Sequence, residues 1–533
     1  MSNYIATDTD LTSVANAIRI KGGSSASLSF PTGFVSAIND IPTGGGGASD
    51  GDVIFIDYDG TVVDAKTKTE INAMTADSDL PANPSHTGLT AQGWNWTVAQ
   101  LKAQLTAMPD QKVYVGQMYT TASGATEIDV TMRDGRLSPI MSIAVNGTVT
   151  IDWGDGTASD TITGTSTSTD LAPSHTYATA GNYTISVKES SGSTYRFYPT
   201  SSKTLLRKND NLDQSYVYAD SIKRVRFGNI QEIKTYTFYY CGALENITIP
   251  NTVTSIGSYA FQSCNSLKSV VIPNLVASIS ISVMKDCCSI SSVSIPYTVT
   301  SIGNYAFQNC YLIAKLTIPS AVTSFGYSVF PACFSIPKLT MPSAVASIGS
   351  NQFQNCYALE KITLPSSATS IGAYAFQGCF ALPEITIPSG VTKIGNFAFY
   401  ACSGLEEITI PNTVTSIGSY AFQNCLYLAN VVISNAVTTI GTSAFQNCHS
   451  IAKLTIPSTV TSIGATAFQY CYGVSEFHIK PTAVPTGGAN MFDGIASDCV
   501  IYVPYSADHS ILNNYKTASN WLAYASYMQE EPQ

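Results

Sequence analysis

Cysteine offers the most chemistry in this chain, and its spacing decides which chemistry is available. Of the 13 cysteines, eleven stand at Cys241, Cys264, Cys287, Cys310, Cys333, Cys356, Cys379, Cys402, Cys425, Cys448 and Cys471, each 23 residues after the last. Only Cys288 and Cys499 fall outside that series. A zinc site needs closely paired ligands, and there is no C-x-x-C pair and no histidine at matching spacing. One cysteine per repeat instead places a small, readily buried side chain at the same point of every coil. The series therefore reads as a stacked row of free buried thiols. The 5 histidines are scattered and assemble no Ser/His/Asp set. No catalytic residue, metal ligand or cofactor is expected.

Other columns of the same period carry side chains suited to binding. One runs Lys315, Lys338, Lys361, then Glu384 and Glu407. Like charges adjacent in a ladder repel, so such a column costs stability unless an anionic partner or an acidic neighbour offsets it; Glu360 and Glu406 are nearby. The position after the cysteine is rich in rings, with Tyr311, Phe334, Tyr357, Phe380, His449 and Tyr472. Aromatic rows stack on sugar rings, anchor a protein partner, or pack on one another and on another subunit. A third column is almost all threonine, from Thr248 through Thr317, Thr340, Thr363, Thr386 and Thr409 to Thr455, and reads first as a β-favouring ladder.

The element that positions these columns is a unit reading C-x-x-L-x-x-I-T-I-P-x-x-V-T-S-I-G-x-Y-A-F-Q-N. Ile247 and Ile249 alternate with Asn246 and Thr248, the period of a half-buried strand. Pro250 ends that strand by removing a ladder donor. Val253 and Ile256 return the chain to the core, and Gly257 permits the next turn. The Tyr-Ala-Phe-Gln segment is expected to cross the back as a short helical or 3-10 turn with Phe261 inward. One unit cannot bury its own apolar face, so neighbours must stack.

This pattern resembles the BspA-like leucine-rich repeats, which share the period, the I-x-I-P strand exit and the late A-F. The resemblance implies a solenoid of about eleven coils over residues 201–480, residues 201–224 forming its first cap. Residues 481–533 resemble the family's C-terminal cap. There Ile501–Pro504 would be a last strand, followed by a helix from about Asp508 through Tyr527 carrying Tyr515 and Trp521.

The N-terminal half reads as smaller modules, making the whole chain multidomain and mainly β. Asp10 can N-cap a helix through about Lys21, stopped by Gly22-Gly23, and Pro31 through Ile41 suggests a second. Residues 43–49 are a Gly-rich linker. Residues 1–42 resemble a module near the N-termini of phage tail-fibre and baseplate proteins, which implies attachment to other virion proteins. In residues 50–112, Val53–Ile56 followed by Asp57-Tyr58-Asp59-Gly60-Thr61 resembles the first motif of haloacid-dehalogenase-type phosphatases. That likeness would make Asp57 a nucleophile and Asp59 an acid/base, with Mg²⁺ between them. Only about fifty residues follow, too few for such an enzyme, and Asp59-Gly60 between β-rich runs also suits a hairpin turn. A small β-rich spacer is expected. Residues 113–200 hold Ile151–Thr157, His175-Thr176-Tyr177 and Gly181–Val187, which resemble a PKD-type immunoglobulin-like sandwich with Trp153 and Tyr183 in its core. A calcium role for Asp152 or Asp155 ranks below that structural one.

A net charge of −10 with 12% charged residues provides no footprint for nucleic acid. No run approaches a membrane span, and MSNYIATDTD has no basic or apolar region of a secretory signal. These features together suggest a virion tail appendage, made in the host cytoplasm, that binds a host-surface glycan or protein through its solenoid. Phage fibres imply a homo-oligomer, a trimer first. The alternative is a bacterial cell-surface adhesin with the same repeats.

Overall fold

The computed structural model describes residues 52–199, 204–208 and 218–532. The helices and linker expected within residues 1–49 lie outside them, as does half of the expected cap at 201–224. The chain divides into two units between Val329 and Phe330.

The first unit opens with β1 (Val53–Ile56), β2 (Val62–Lys66), α1 (Lys68–Ala73), β3 (Leu89–Trp94), α2 (Val98–Ala107) and β4 (Val113–Thr121). The strands form one sheet in the order β2-β1-β4-β3, with β1 antiparallel to β2 and parallel to β4. Both helices start with capping boxes, Thr67 with Glu70 and Thr97 with Gln100. Phe55, Trp94, Trp96, Leu101, Leu105, Val113 and Val115 share its core. The boundary expected after residue 112 therefore falls before a central strand of this sheet, and the module holds two helices rather than strands alone. The sequence pattern missed this because β4 also begins the β-rich run that follows.

Next come β5 (Thr126–Met132), β6 (Ile140–Met141), β7 (Ile143–Asp152), β8 (Asp160–Ser166), β9 (Gly181–Glu189), β10 (Thr194–Phe197), β11 (Leu206–Arg207) and β12 (Ile222–Arg226). Long β7 pairs with β8, β9 and β10, and β9 pairs with β5. β5 then pairs antiparallel with β12, which pairs in parallel with Asn246–Thr248 of the first cysteine-marked coil. A coil stack left open would expose a strand edge and core. Here β5 covers that edge, and Arg226 ties it down through Glu127 at 2.9 Å and Asp129 at 2.8 Å.

The C-terminal β-solenoid has about 13 turns of about 23 residues. The two beyond the expected eleven include the coils of β12 and Val500–Val503, which lack the column cysteine, although Pro504 keeps the proline after Val500–Val503. In each coil the strand isoleucines point inward, as do Val253, Ile256 and Phe261 of the first. The back is not helical. It carries two left-handed residues per coil four apart, such as Tyr259 at φ 60 and Ser263 at φ 62. Between them the amides alternate: Gln262 N and Cys264 N close local turns, while Tyr259, Phe261 and Ser263 N donate to Ile281, Val283 and Lys285 O of the next coil. Left-handed non-glycine residues each cost on the order of 1 kcal/mol, which these inter-coil bonds offset.

Each repeat glycine answers to close approach, not to turn conformation. A Cβ on Gly418 would lie 2.6 Å from Gly395 C, and one on Gly257 would lie 2.3 Å from Thr235 N, while neither glycine has positive φ. The thiols satisfy a neighbour: Cys264 Sγ donates to Phe238 O at 3.1 Å, Cys402 to Phe376 O at 3.0 Å and Cys448 to Phe422 O at 3.2 Å. In the second unit Phe376, Phe399, Phe422 and Phe445 stack face to face at 5.1–5.3 Å.

The second unit ends differently from the single helix expected. Val500–Val503 is followed by a helix over Ser510–Thr517, a 3-10 turn over Leu522–Tyr527 and a strand, Met528–Glu530, parallel to Val500–Val503. Asn520, at φ 62, separates helix from turn. Tyr515 and Trp521 are fully buried and donate to Pro481 O and Pro485 O, both at 2.8 Å.

Replacing Gly418 by Ala forces a methyl into the main chain of the adjacent coil. Overpacking of this kind costs roughly 1–3 kcal/mol, so Gly418→Ala is expected to lower the midpoint of thermal unfolding. An unchanged midpoint would remove close approach as the reason for the column.

Candidate functional site

The residues around which chemistry could be built separate once the coils are in place. All eleven column cysteines are free and buried. Burial pushes the thiols of Cys264, Cys287, Cys379, Cys425 and Cys448 well up, and those of Cys356, Cys402 and Cys471 to about 12. A thiol so raised is neither nucleophile nor ligand at neutral pH.

Asp57–Thr61 is the hairpin turn between β1 and β2: Asp57 N donates to Thr61 O, and Asp59 Oδ1 accepts from Thr61 N and its hydroxyl. Gly60 takes φ 87 there. Buried Asp57 meets His86 Nε2 at 2.6 Å, a pairing across 29 positions that no spacing announces. Burial, and then the Asp57 charge, push the Tyr119 phenol beside this pair upward. Three other histidines also meet carboxylates: His175 with Asp155 at 2.8 Å, His478 with Glu531 at 2.9 Å, and His509 with Glu530 at 2.8 Å. No serine, threonine or cysteine hydroxyl or thiol is hydrogen-bonded to these rings among the described residues.

The three PKD-like motifs converge on one cluster. Buried Trp153 donates from Nε1 to Asp160 at 2.8 Å, and Tyr177 donates from its hydroxyl to Trp153 O at 2.9 Å. His175 stacks on Trp153, and Tyr183 on Tyr177. The core ring is Tyr177; Tyr183, expected there, is half-buried and bonds to Thr179 O. Asp155 is held by Thr157 and His175, which lower its carboxyl to about 2. Asp152 accepts from Gly154 N. Among the described residues no group of three or more His, Cys, Asp or Glu could hold a metal.

The aromatic column turns mostly inward. Tyr311, Phe334 and Tyr357 are buried, Phe380 is half-buried, and only His449 and Tyr472 are exposed. Phe334 stacks on Tyr357 at 4.5 Å and Tyr357 on Phe380 at 5.0 Å. Rings buried in this way are closed to a sugar, which corrects the ligand-stacking expectation for Tyr311, Phe334 and Tyr357.

The strand face is where the two units part company. In the first, Thr248 is 2% exposed and Ser294 and Thr317 are 0% exposed, because the β1–β4 module sits on them. β4 runs across the coil strands. Tyr114 N donates to Thr317 Oγ1 at 2.8 Å, Thr317 Oγ1 donates to Lys112 O at 3.0 Å, and Ser294 Oγ donates to Tyr114 O at 2.8 Å. Gly116 is required by contact: a Cβ there would lie 2.5 Å from both Val271 methyls. Asn95 donates to Ile272 O at 2.9 Å, Trp96 Nε1 to Ile295 O at 2.9 Å, and Gln104 accepts from Ser320 N at 2.7 Å. Lys315 reaches Gly60 O under the hairpin, and burial lowers its pKa.

In the second unit the same columns stand open. Lys338, Lys361, Glu384 and Glu407 are exposed, as are Thr363, Thr386 and Thr409. Lys338 registers against Lys361 and Glu384 against Glu407. None of the four has an ion-pair partner among the described residues. Between Lys361–Leu364 and Glu384–Ile387 the described residues form no main-chain hydrogen bond. Pro383 stands where other coils offer an N–H to the preceding one, as Glu406 N does to Pro383 O. A cleft of about 380 Å³ opens there, lined by Lys361, Thr363, Ser366, Glu384, Thr386 and Ser389. A second, of about 340 Å³, follows between Glu384–Ser389 and Glu407–Pro411.

Residues 231–360 and 346–475 match the family model of the BspA type leucine rich repeat region. Over those residues the solenoid is built of BspA-type leucine-rich repeats. Among solved structures, the chain is similar to a leucine-rich repeat protein from Bacteroides ovatus, with 23% identity, a TM-score of 0.40, and 58% of this chain and 95% of that one covered. It is also similar to a leucine rich cell surface protein from Faecalibacterium prausnitzii, with 26% identity, a TM-score of 0.31, and coverage of 55% and 87%. The pneumococcal vaccine antigen PcpA is 16% identical, with a TM-score of 0.32 and coverage of 58% and 86%. No curated protein matches the chain. Among the described residues no helix is long and apolar enough to cross a membrane.

Two outcomes follow. Iodoacetamide at pH 8 should leave the eleven column thiols of the native BspA-type repeats unmodified and label them after denaturation; rapid native labelling would contradict their burial. The lowered Asp155 carboxyl contributes stability that is full above the usual carboxylate pKa of ~3.9 and is lost as pH falls through about 2. Asp155→Asn should therefore unfold at lower temperature than the wild type at pH 6, with the gap narrowing between about pH 4 and pH 2.

Proposed function

We propose that this chain is a non-catalytic binding protein whose recognition surface is the open strand face of the second unit. The observation that carries this reading is the contrast between equivalent columns. One is buried beneath the β1–β4 module, with Ser294 and Thr317 hydrogen-bonded to it; the other is exposed, with four unpaired charges and two clefts. Exposed threonines and unpaired charges on a rigid stack offer directional contacts at little ordering cost.

The finer assignment is a phage tail appendage that binds a glycan or protein on a bacterial host, attached to other virion proteins through residues 1–42 and assembled as a homo-oligomer, a trimer first. It is supported by the resemblance of residues 1–42 to tail-fibre and baseplate modules. The repeat-family match favours a second reading, a bacterial cell-surface adhesin. Antibodies against the chain would decorate purified virions in the first case and intact producing cells in the second.

For either reading the fluorescently labelled full chain should bind a subset of bacterial strains in a saturable manner. Exchanging charges with Lys361→Glu and Glu384→Lys should weaken that binding by about tenfold or more with no loss of thermal stability. Undiminished binding by the exchanged variant would remove the second unit's strand face as the recognition surface.

A further inference from the structure

The chain carries its own example of what the strand face accepts. β4 lies on the Val271, Ser294 and Thr317 column as an extended segment, and the column reads its backbone rather than its side chains. One hydroxyl, Thr317 Oγ1, accepts the Tyr114 amide and donates to the Lys112 carbonyl; the next, Ser294 Oγ, donates to the Tyr114 carbonyl. The segment advances two residues per coil, Lys112 and Tyr114 at Thr317 and Gly116 at Val271, and runs toward the lower-numbered coils.

The second unit repeats the same hydroxyl column with Thr363, Thr386 and Thr409 exposed, and none of their side chains is hydrogen-bonded within the described chain. Beside them the charge column reverses sign between Lys361 and Glu384, at the coil junction where the ladder is interrupted. An extended backbone would meet hydroxyls that both donate and accept. Its charged side chains would meet glutamates at one end and lysines at the other.

We propose that this open column docks an extended polypeptide segment of a partner, laid on it as β4 is laid on its counterpart. Run in the same direction, that segment carries basic residues toward its N-terminal end, opposite Glu407 and Glu384. It carries acidic residues about two to four positions later, opposite Lys361 and Lys338. This rests on the binding-protein reading and names the chemistry of its ligand.

The test selects a displayed library of random dodecapeptides on the immobilised full chain. In parallel it uses a variant with all four charges exchanged: Lys338→Glu, Lys361→Glu, Glu384→Lys and Glu407→Lys. The expected result is enrichment of peptides with Lys or Arg preceding Asp or Glu, and of the reverse order on the variant. An enriched peptide should bind Thr386→Val several-fold more weakly by fluorescence polarisation, with unfolding unchanged. Recovery of no enriched peptide, or of the same peptides from both chains, overturns the proposal. Cell binding that persists while peptides fail, and that soluble cell-surface polysaccharide blocks, overturns it in favour of a glycan and leaves the binding-protein reading standing.

Discussion

The main chain of each coil touches the main chain of the next, and the remaining features are consequences of that approach. Where the contact is tightest no Cβ fits, so the column is glycine at Gly372, Gly395, Gly418, Gly441 and Gly464. Across the back, the alternation of local and inter-coil amide bonds requires two left-handed residues in each turn. Asn355, Gly378, Asn424 and Asn447 occupy one of those positions, residue types for which the left-handed region is least costly. Asn447 Nδ2 then bonds to Asn424 Oδ1 at 2.7 Å, so the residue that tolerates the backbone also ties it to its neighbour. The Phe carbonyl that each turn leaves pointing inward is met by the cysteine of the following coil. Cysteine is the side chain here because it is small, apolar enough to bury and still a donor.

A stack held this way has two open edges, and each is closed by a strand from outside the repeat. At the front β5 lies antiparallel to β12, with Arg226 on two acids of β5. At the back Met528–Glu530 is added in parallel, and Glu531 beside it is gripped by His478 at 2.9 Å and Lys480 at 2.6 Å. Short, charged and bonded end strands of this kind keep an edge from recruiting another chain.

The sequence makes the repeat legible because a constraint applied once per coil leaves a column. Cysteine, proline, phenylalanine and glycine all appear at their structural positions for that reason. What the period cannot carry is what happens once. The coils of β12 and Val500–Val503 lack the column cysteine, and neither has a standard coil on both sides. The docking of β4, the Asp57–His86 pair and the return strand Met528–Glu530 join residues far apart in sequence and have no periodic trace. The burial of Tyr311, Phe334 and Tyr357 was hidden for a different reason. A ring after the cysteine looks the same in sequence whether it faces solvent or the ring above it. The lysine and glutamate column was visible, but not that Lys315 lies beneath the hairpin while Lys361 stands open.

That column bears on function through a comparison within itself. At other coils the chain places opposite charges in register: Lys268 meets Glu245 at 3.4 Å, and Lys453 meets Glu476 at 3.0 Å. Exposed pairs contribute only about 0–1 kcal/mol each, yet they avoid the repulsion of like charges stacked at coil spacing. From Lys338 to Glu407 the pattern is lysine, lysine, glutamate, glutamate, and a single exchange of Lys361 with Glu384 would convert it to alternating signs without touching the core. The present order forgoes that stabilisation. It also sets the change of sign at Pro383, where the missing N–H already opens the ladder and the larger cleft lies. Two independent departures from the best-packed coil therefore fall at one exposed place. Folding gains from neither, and a partner that supplies the missing charges and hydrogen bonds would gain from both.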